Sequence, residues 1–223
     1  MKSTERISVA LPKGRLLDVI LKLLCEADIE MVSYKLQSRR LVFQDKCGHF
    51  QFFMLKPIDV PTYVEYGVAD VGIVGRDVLL ECQANIHQPL DLGVGQCTLA
   101  VAGPKGTAQA DYRGLSAVRI ATKYPRITTE YFTQRGVPVE IIYLSGSVEL
   151  APLLGLSERI VDLVSTGRTL AENGLEIIES ICNVSARLVV NRASYQVKRP
   201  AVTNLIKRLT DVSPKTAHST PKL

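Results

Sequence analysis

Two hydrophobic periods take turns along this chain. "RISVAL" (6–11) is a short apolar run that reads as a buried strand, and it ends at Pro12-Lys13-Gly14-Arg15. Leu16, Leu17, Val19, Ile20, Leu23 and Leu24 then recur at helical spacing. "LVF" (41–43) and "FQFFMLK" (50–56) read as strands, joined as a hairpin through Asp45-Lys46-Cys47-Gly48. Asp59, Pro61 and Glu65 mark a short helix that Gly67 ends. "ADVGIVG" (69–75) is a buried strand, "RDVLLECQ" (76–83) is helical, and "LGVGQCTLAVAG" (92–103) is one long extended segment.

A second series follows the same rhythm. Strand "AVRIAT" (117–122) leads to helix "ITTEYFTQR" (127–135), which Gly136 and Pro138 stop. Strand "VEIIYL" (139–144), helix "SVELAPLLG" (147–155), strand "RIVDLV" (159–164) and a short helix "TLAENG" (169–174) come next. "LEIIESICNVSARLVVN" (175–191) is again long and extended, and "RPAVTNLIKRLTD" (199–211) is a closing helix. Repeated βα units with short connections predict an α/β fold of parallel sheets covered by helices. The two long extended segments bracket the second series, so the chain should cross out once and return once. That predicts two lobes: 1–94 plus 182–211 for the first, 95–181 for the second, and a flexible tail over 212–223. A cleft between such lobes is the natural place for a ligand.

Composition narrows the function classes. At 223 residues and 46% hydrophobic, the chain can bury a sizeable core. It has no run of ~18 apolar residues, which argues against a membrane span, and its N-terminal apolar stretch is too short for a signal-peptide core. Five scattered cysteines without a CxxC pair read as reduced thiols in a cytoplasmic protein, mostly buried as small apolar residues. With only three histidines, His49, His87 and His218, no zinc-ligand spacing is expected. Residues 198–223 hold six of the 27 basic residues and one of the 22 acids, so residues 1–197 carry 21 of each sign. The net charge of +5 is therefore a property of the C-terminal end and not of a nucleic-acid-binding face.

The candidate chemistry gathers at strand exits. In "RIVDLVSTGRTLAENGL" (159–175), Thr169-x-x-Glu172 has the form of a capping box, and Gly174 can stop the helix in αL. The same stretch also suits an anion. Gly167 lets backbone approach a ligand, Ser165, Thr166 and Thr169 supply hydroxyls, and Arg168 supplies charge. Asp162, inside an otherwise apolar strand, suits sugar hydroxyls. "ALPKGRLLD" places Lys13 and Arg15 around a glycine where a helix begins, against the helix dipole, which an anion site would explain. "SRRLVF" adds Arg39 and Arg40, and "ATKYP" puts Lys123 and Tyr124 at another strand exit. In "LSGSVELAP", Ser147 reads as an N-cap beside Glu149. No Ser/His/Asp triad, P-loop or Rossmann GxGxxG is present.

Taken together, these segments resemble the short form of the ATP phosphoribosyltransferases of histidine biosynthesis. "ELAPLLGLSERIVDLVSTGRTL" (149–170) carries the most specific match, and "ALPKGRL", "DVPTYVEYGVADVGIVGRDVL" and "IATKYPRITTEYF" also look like that family. The resemblance covers about residues 6–210. It implies two periplasmic-binding-protein-like (type II) α/β lobes with the ligand cleft between them. It also implies a glycosyltransferase reaction, in which adenine N1 of ATP attacks C1 of phosphoribosyl pyrophosphate and releases pyrophosphate, with Mg²⁺ present. Carried over by position, Asp162 and the loop of Ser165, Thr166, Gly167, Arg168 and Thr169 hold ribose and 5-phosphate, with Glu149 on the ribose side. Lys13, Arg15 and Arg39 fall where that family has catalytic cations near ATP and pyrophosphate, and Lys123 and Tyr124 fall on the ATP side. The implied partner is a regulatory subunit similar to histidyl-tRNA synthetase, with catalytic subunits paired inside a hetero-oligomer. Thr98 departs from the Arg or Lys often found after the cysteine of "GQCTL". Two rivals share parts of this pattern: a two-lobed solute-binding or effector-sensing module, and a phosphoribosyltransferase using another base. The first should bring a signal peptide or a DNA-binding domain, and the second usually has paired acids before the Thr-Gly loop.

Overall fold

The computed structural model describes residues 6–31, 40–107 and 117–214. The first series of elements is β1 (Ile7–Pro12), α1 (Arg15–Glu26), β2 (Val42–Gln44), β3 (Phe50–Leu55), α2 (Val60–Glu65), β4 (Val71–Gly75), α3 (Arg76–Cys82) and β5 (His87–Asp91). The second is β6 (Cys97–Pro104), β7 (Val118–Thr122), α4 (Pro125–Thr133), β8 (Val139–Tyr143), α5 (Leu150–Leu153), β9 (Arg159–Val164), α6 (Arg168–Glu172) and β10 (Leu175–Val184). The chain then returns through β11 (Ala186–Val190), α7 (Arg192–Val197) and α8 (Arg199–Val212). Among the described residues, 6–95 with 185–214 form one compact unit and 96–184 form the other. The crossing expected at 181/182 falls inside β10, and the units divide where that strand ends.

Each unit holds one sheet. The first is ordered β2-β3-β1-β4-β11-β5 and the second β10-β6-β9-β7-β8. Without the hairpin strand β2, both follow one plan. A first strand (β1 or β7) lies between the second and third, an antiparallel strand (β11 or β6) pairs with the third, and a further strand (β5 or β10) closes the edge. The expected parallel pairing holds for β1 with β3 and β4, and for β7 with β8 and β9. The inserted strands β11 and β6 run antiparallel to both neighbours, so both sheets are mixed where the βα rhythm alone predicts parallel pairing.

Side chains alternate across the first sheet as a pleat requires. Ile7, Val9 and Leu11 of β1, Val71 and Ile73 of β4, and Leu188 and Val190 of β11 join a core with α1 and α8. Ala10, Val74 and Val189, which point the other way, pack with Val60 and Val64 of α2. The sheet is therefore covered on both faces, and each strand reads as a continuous apolar run. A polar clamp ties β1 and the start of β4 to the α7–α8 junction. Ser8 N–H and Oγ both donate to Asp70 Oδ2 at 2.8 Å, Ser194 Oγ donates to Oδ1 at 2.7 Å, and Lys198 Nζ pairs with Oδ2 at 2.8 Å. Burial alone would raise the Asp70 pKa; Lys198, Ser8 and Ser194 outweigh it and hold the carboxyl below its ordinary value.

The second unit has its own core of Ala100, Ala102, Ala121, Val148, Ala151, Ile160, Val164, Leu170 and Leu175. Glu158 and Arg119 fasten β7 to the start of β9: Glu158 accepts from Arg119 N at 2.7 Å, Nε at 2.9 Å and a terminal guanidinium nitrogen at 2.6 Å. No helix among the described residues is long and apolar enough to cross a membrane.

Candidate functional site

The exit of β9 opens into a pocket of about 230 Å³, with Asp162 of β9, Glu149 just before α5, and Thr169 and Leu170 of α6 among its walls. Its floor includes Ala100 and Ala102 of β6, which pair with Asp162 and Ile160 across the antiparallel ladder. Alternate residues of a strand share a face, and two alanines there leave room that larger side chains would fill. The volume is below the ~300–1,000 Å³ of pockets that enclose drug-sized ligands. The pocket by itself is therefore too small to enclose a whole nucleotide-sized molecule.

Asp162 is half-buried and accepts from the Leu163 amide at 2.8 Å through Oδ1. Glu149 is also half-buried, so the pocket brings two acids to one face of the sheet's carboxyl edge. The capping box expected at Thr169 and Glu172 is not formed. Gly167 occupies the N-cap of α6 at φ 73°, Thr169 lies inside the helix, and Glu172 instead accepts from Arg168 Nε at 2.7 Å. Gly174 does take the left-handed conformation, at φ 68°. First-turn amides of a helix have no intrahelical acceptor; here Arg168 N–H donates to Thr166 Oγ1 at 3.4 Å, and Ala171 N–H bonds back to Gly167 O at 3.0 Å. Ser165, Thr166, Arg168 and Thr169 are exposed beside those amides. The Arg168–Glu172 pair is a solvated i,i+4 contact, a weak tether easily exchanged for an anion.

The other expected residues lie at further strand exits. Lys13 and Arg15 flank Gly14, which caps α1 at φ 100° and ψ −160°, and both cations are exposed. Lys13 N–H donates to Leu55 O at 2.7 Å, which extends the pairing of β1 with β3 by one residue and fixes the turn. Lys123 is exposed after β7, with Nζ 5.2 Å from the centre of the Tyr124 ring. Tyr124 itself is a core residue, 2% exposed. It sits in a buried network in which its amide donates to Thr122 Oγ1 at 2.9 Å and its carbonyl accepts from Thr128 Oγ1 at 2.7 Å. That network shapes the exit and leaves Lys123 as its solvent-facing charge. Arg39 lies outside the described residues. Ser147 does not cap α5; the N-cap position is Glu149, and Ser147 is left-handed at φ 48°. Thr98 donates to Asn183 Oδ1 at 3.2 Å, so it links β6 to β10.

One cluster of ligand-type side chains lies apart from the expected site residues. Asp45, Cys47 and His49 bring a carboxylate oxygen, Sγ and a ring nitrogen within 4.8 Å of one another in the β2–β3 turn. Spacings of the CxxC or HxxxH type do not detect such a set, because a hairpin turn gathers alternate residues and one of the three is an aspartate.

Comparison with known proteins puts these features in context. The family model "HisG: ATP phosphoribosyltransferase" matches residues 56–211. An ATP phosphoribosyltransferase of Caldicellulosiruptor bescii is 51% identical over 204 residues, covering 91% of this chain and 97% of the relative. The solved ATP phosphoribosyl transferase (HisG:HisZ) complex of Thermotoga maritima contains a chain 39% identical, with TM-score 0.80 over 92% of this chain and 98% of that one. The periplasmic aliphatic sulphonate binding protein SsuA of Escherichia coli shares the fold alone, at 11% identity and TM-score 0.60 over 93% and 72% of the two chains. The shared sheet plan is thus the type II periplasmic-binding-protein arrangement, and the chain belongs to the ATP phosphoribosyltransferase family.

Proposed function

We propose that the protein joins ATP to phosphoribosyl pyrophosphate, with adenine N1 attacking ribose C1 and pyrophosphate leaving, as the first step of histidine biosynthesis. The observation that carries this reading is the pocket where Asp162 and Glu149 meet Thr169, the last residue of the Ser165–Thr169 loop, in a chain of this family. In it, Asp162 and Glu149 accept from the ribose hydroxyls. The loop amides and the hydroxyls of Ser165, Thr166 and Thr169 donate to the 5-phosphate, and Arg168 exchanges Glu172 for that phosphate.

The chemistry asks little of an activated side chain. The nucleophile is a neutral ring nitrogen, whereas negative charge grows on the departing pyrophosphate. Preorganised positive charge at the leaving group is the largest catalytic contribution such a site can make. We assign that role to Lys13 and Arg15, with Lys123 on the ATP side. Arg39 is proposed with them from sequence position alone. Mg²⁺ enters with the diphosphate as part of the substrate. Glu149 and Asp162 are oxygen donors of the kind Mg²⁺ accepts, and Mg²⁺ ordinarily binds through one or two carboxylates plus substrate phosphates. The set with three ligand types, at Asp45, Cys47 and His49, includes a thiol and does not suit it.

We extend to this chain a HisZ-type regulatory partner, on the strength of the Thermotoga maritima complex, with catalytic subunits paired within the assembly. The cysteines are thiols, three of them exposed and two half-buried where burial was expected, and thiols suit a cytoplasmic enzyme. The test is product formation: the full chain is mixed with ATP, phosphoribosyl pyrophosphate and Mg²⁺, with and without a HisZ-type subunit. The absorbance change of N1-substituted adenine should appear, and its absence under both conditions would overturn the reading.

A further inference from the structure

The β2–β3 turn gathers three ligand-type side chains, none of them assigned a role above. Asp45 is 8% exposed and fixed in place: Oδ1 accepts from the Phe50 amide at 2.7 Å and Oδ2 from the Cys47 amide at 3.3 Å. Each oxygen spends one lone pair on those bonds and keeps another. Cys47 and His49 are exposed on the same turn, with Gly48 between them at φ 72° and its amide bonded to Asp45 O at 3.2 Å. The three ligand atoms lie within 4.8 Å of one another, so small side-chain adjustments would bring all three onto one ion. The neighbouring cation, Lys46, is paired with Glu30, which offsets the positive charge beside the turn.

We propose that Asp45, Cys47 and His49 form a site for a zinc-class divalent cation that clips the hairpin. One thiolate, one imidazole and one carboxylate are the mixed donors that Zn²⁺ takes, and Mg²⁺ and Ca²⁺ select against the thiolate. Three protein ligands leave the fourth tetrahedral position to water. On binding, the Cys47 thiol releases its proton to solvent, and His49 coordinates through a neutral ring nitrogen.

The test uses the untagged, metal-free full chain, titrated with Co²⁺ as a coloured stand-in and then with Zn²⁺ as competitor. One equivalent of Co²⁺ should produce thiolate-to-cobalt charge-transfer absorption, and Zn²⁺ should abolish it. Cys47→Ser should lose that absorption entirely, and His49→Ala should weaken binding at least ~10-fold. Cys82→Ser, which removes an exposed thiol elsewhere in the same unit, should change neither. Far-ultraviolet circular dichroism of each variant checks that it folds. No charge-transfer absorption in the parent chain, or absorption that survives Cys47→Ser, would overturn the site.

Discussion

Gly167→Ala separates the loop's role in folding from its role in binding. Gly167 is left-handed at φ 73°, and a Cβ added there would meet only Val164 Cγ1, at 3.9 Å, an ordinary contact. The structural cost is thus the backbone preference alone, about 1 kcal/mol for an L-residue in this region. For a chain of this size, that is a fall of roughly 2–4 °C in melting temperature. Gly136, in the same unit at φ 68° with nothing within 4 Å of its added Cβ, carries the same cost and lies outside the proposed site. The functional effect should differ sharply. A methyl on a loop whose amides approach a phosphate shifts those donors, and a misplacement of about 1 Å costs on the order of 100-fold in rate, or about 2.7 kcal/mol. Calorimetry should show matching losses of stability in Gly167→Ala and Gly136→Ala. Steady-state kinetics should show kcat/KM for phosphoribosyl pyrophosphate reduced about 100-fold only in the first. Equal activity in the two variants would refute the phosphate role of the loop.

Further outcomes follow from the same geometry. Asp162→Asn keeps an oxygen for the Leu163 amide but loses the charge, so kcat/KM should fall about 100-fold or more while melting shifts by no more than a few degrees; calorimetry beside kinetics checks both. Arg15→Ala removes an exposed side chain at the first position of α1, so turnover should fall well beyond any loss of stability, and unchanged turnover would remove Arg15 from the site. Lys198→Met should cost about 1.5–3 kcal/mol in denaturant unfolding, because it takes a charged hydrogen bond from buried Asp70. The sign with pH is set by the lowered Asp70 pKa. Its contribution is complete above the unfolded carboxylate value of ~3.9 and is lost as pH falls through the folded value. Asp70→Asn should therefore flatten part of the acid limb of a stability-versus-pH curve.

How far the sequence reveals this molecule depends on which physical signal each element carries. "RIVDLV" coincides with β9 because an apolar β-branched run between turn residues has one reading. α1 and α8 are equally plain, since amphipathic spacing over three turns leaves little choice. β5, "HQPLD", carries no such signal. It is an edge strand with Pro89 in it, half-exposed, and its pairing with β11 decides its state. The segment 92–103 reads as one strand because its residues are apolar, yet Gly93 and Gly95 are both left-handed and the strand begins only at Cys97. The segment 175–191 hides a similar break at Ser185, where the chain leaves one sheet for the other.

The site divides in the same way. Asp162, Gly167 and Thr169 announce themselves as exceptions to their surroundings, a charge in an apolar strand and a glycine with hydroxyls at its exit. The capping box has the right spacing but fails to form, because Gly167 and not Thr169 takes the N-cap and Glu172 pairs with Arg168. The pocket's space comes from Ala100 and Ala102, which as sequence look like ordinary small core residues; only their facing partners in β9 reveal what they leave open. The Asp70 clamp joins residues up to 128 positions apart and has no local signature at all.

The most direct test of the central claim is a product analysis by mass spectrometry with pyrophosphate counted in parallel. The chain, supplied with ATP, phosphoribosyl pyrophosphate and Mg²⁺ and with an added HisZ-type subunit, should yield ATP enlarged by one ribose 5-phosphate at adenine N1, matched by equimolar pyrophosphate. Pyrophosphate released without a ribosylated ATP, or a ribose attached to any base other than the adenine of ATP, would contradict the account.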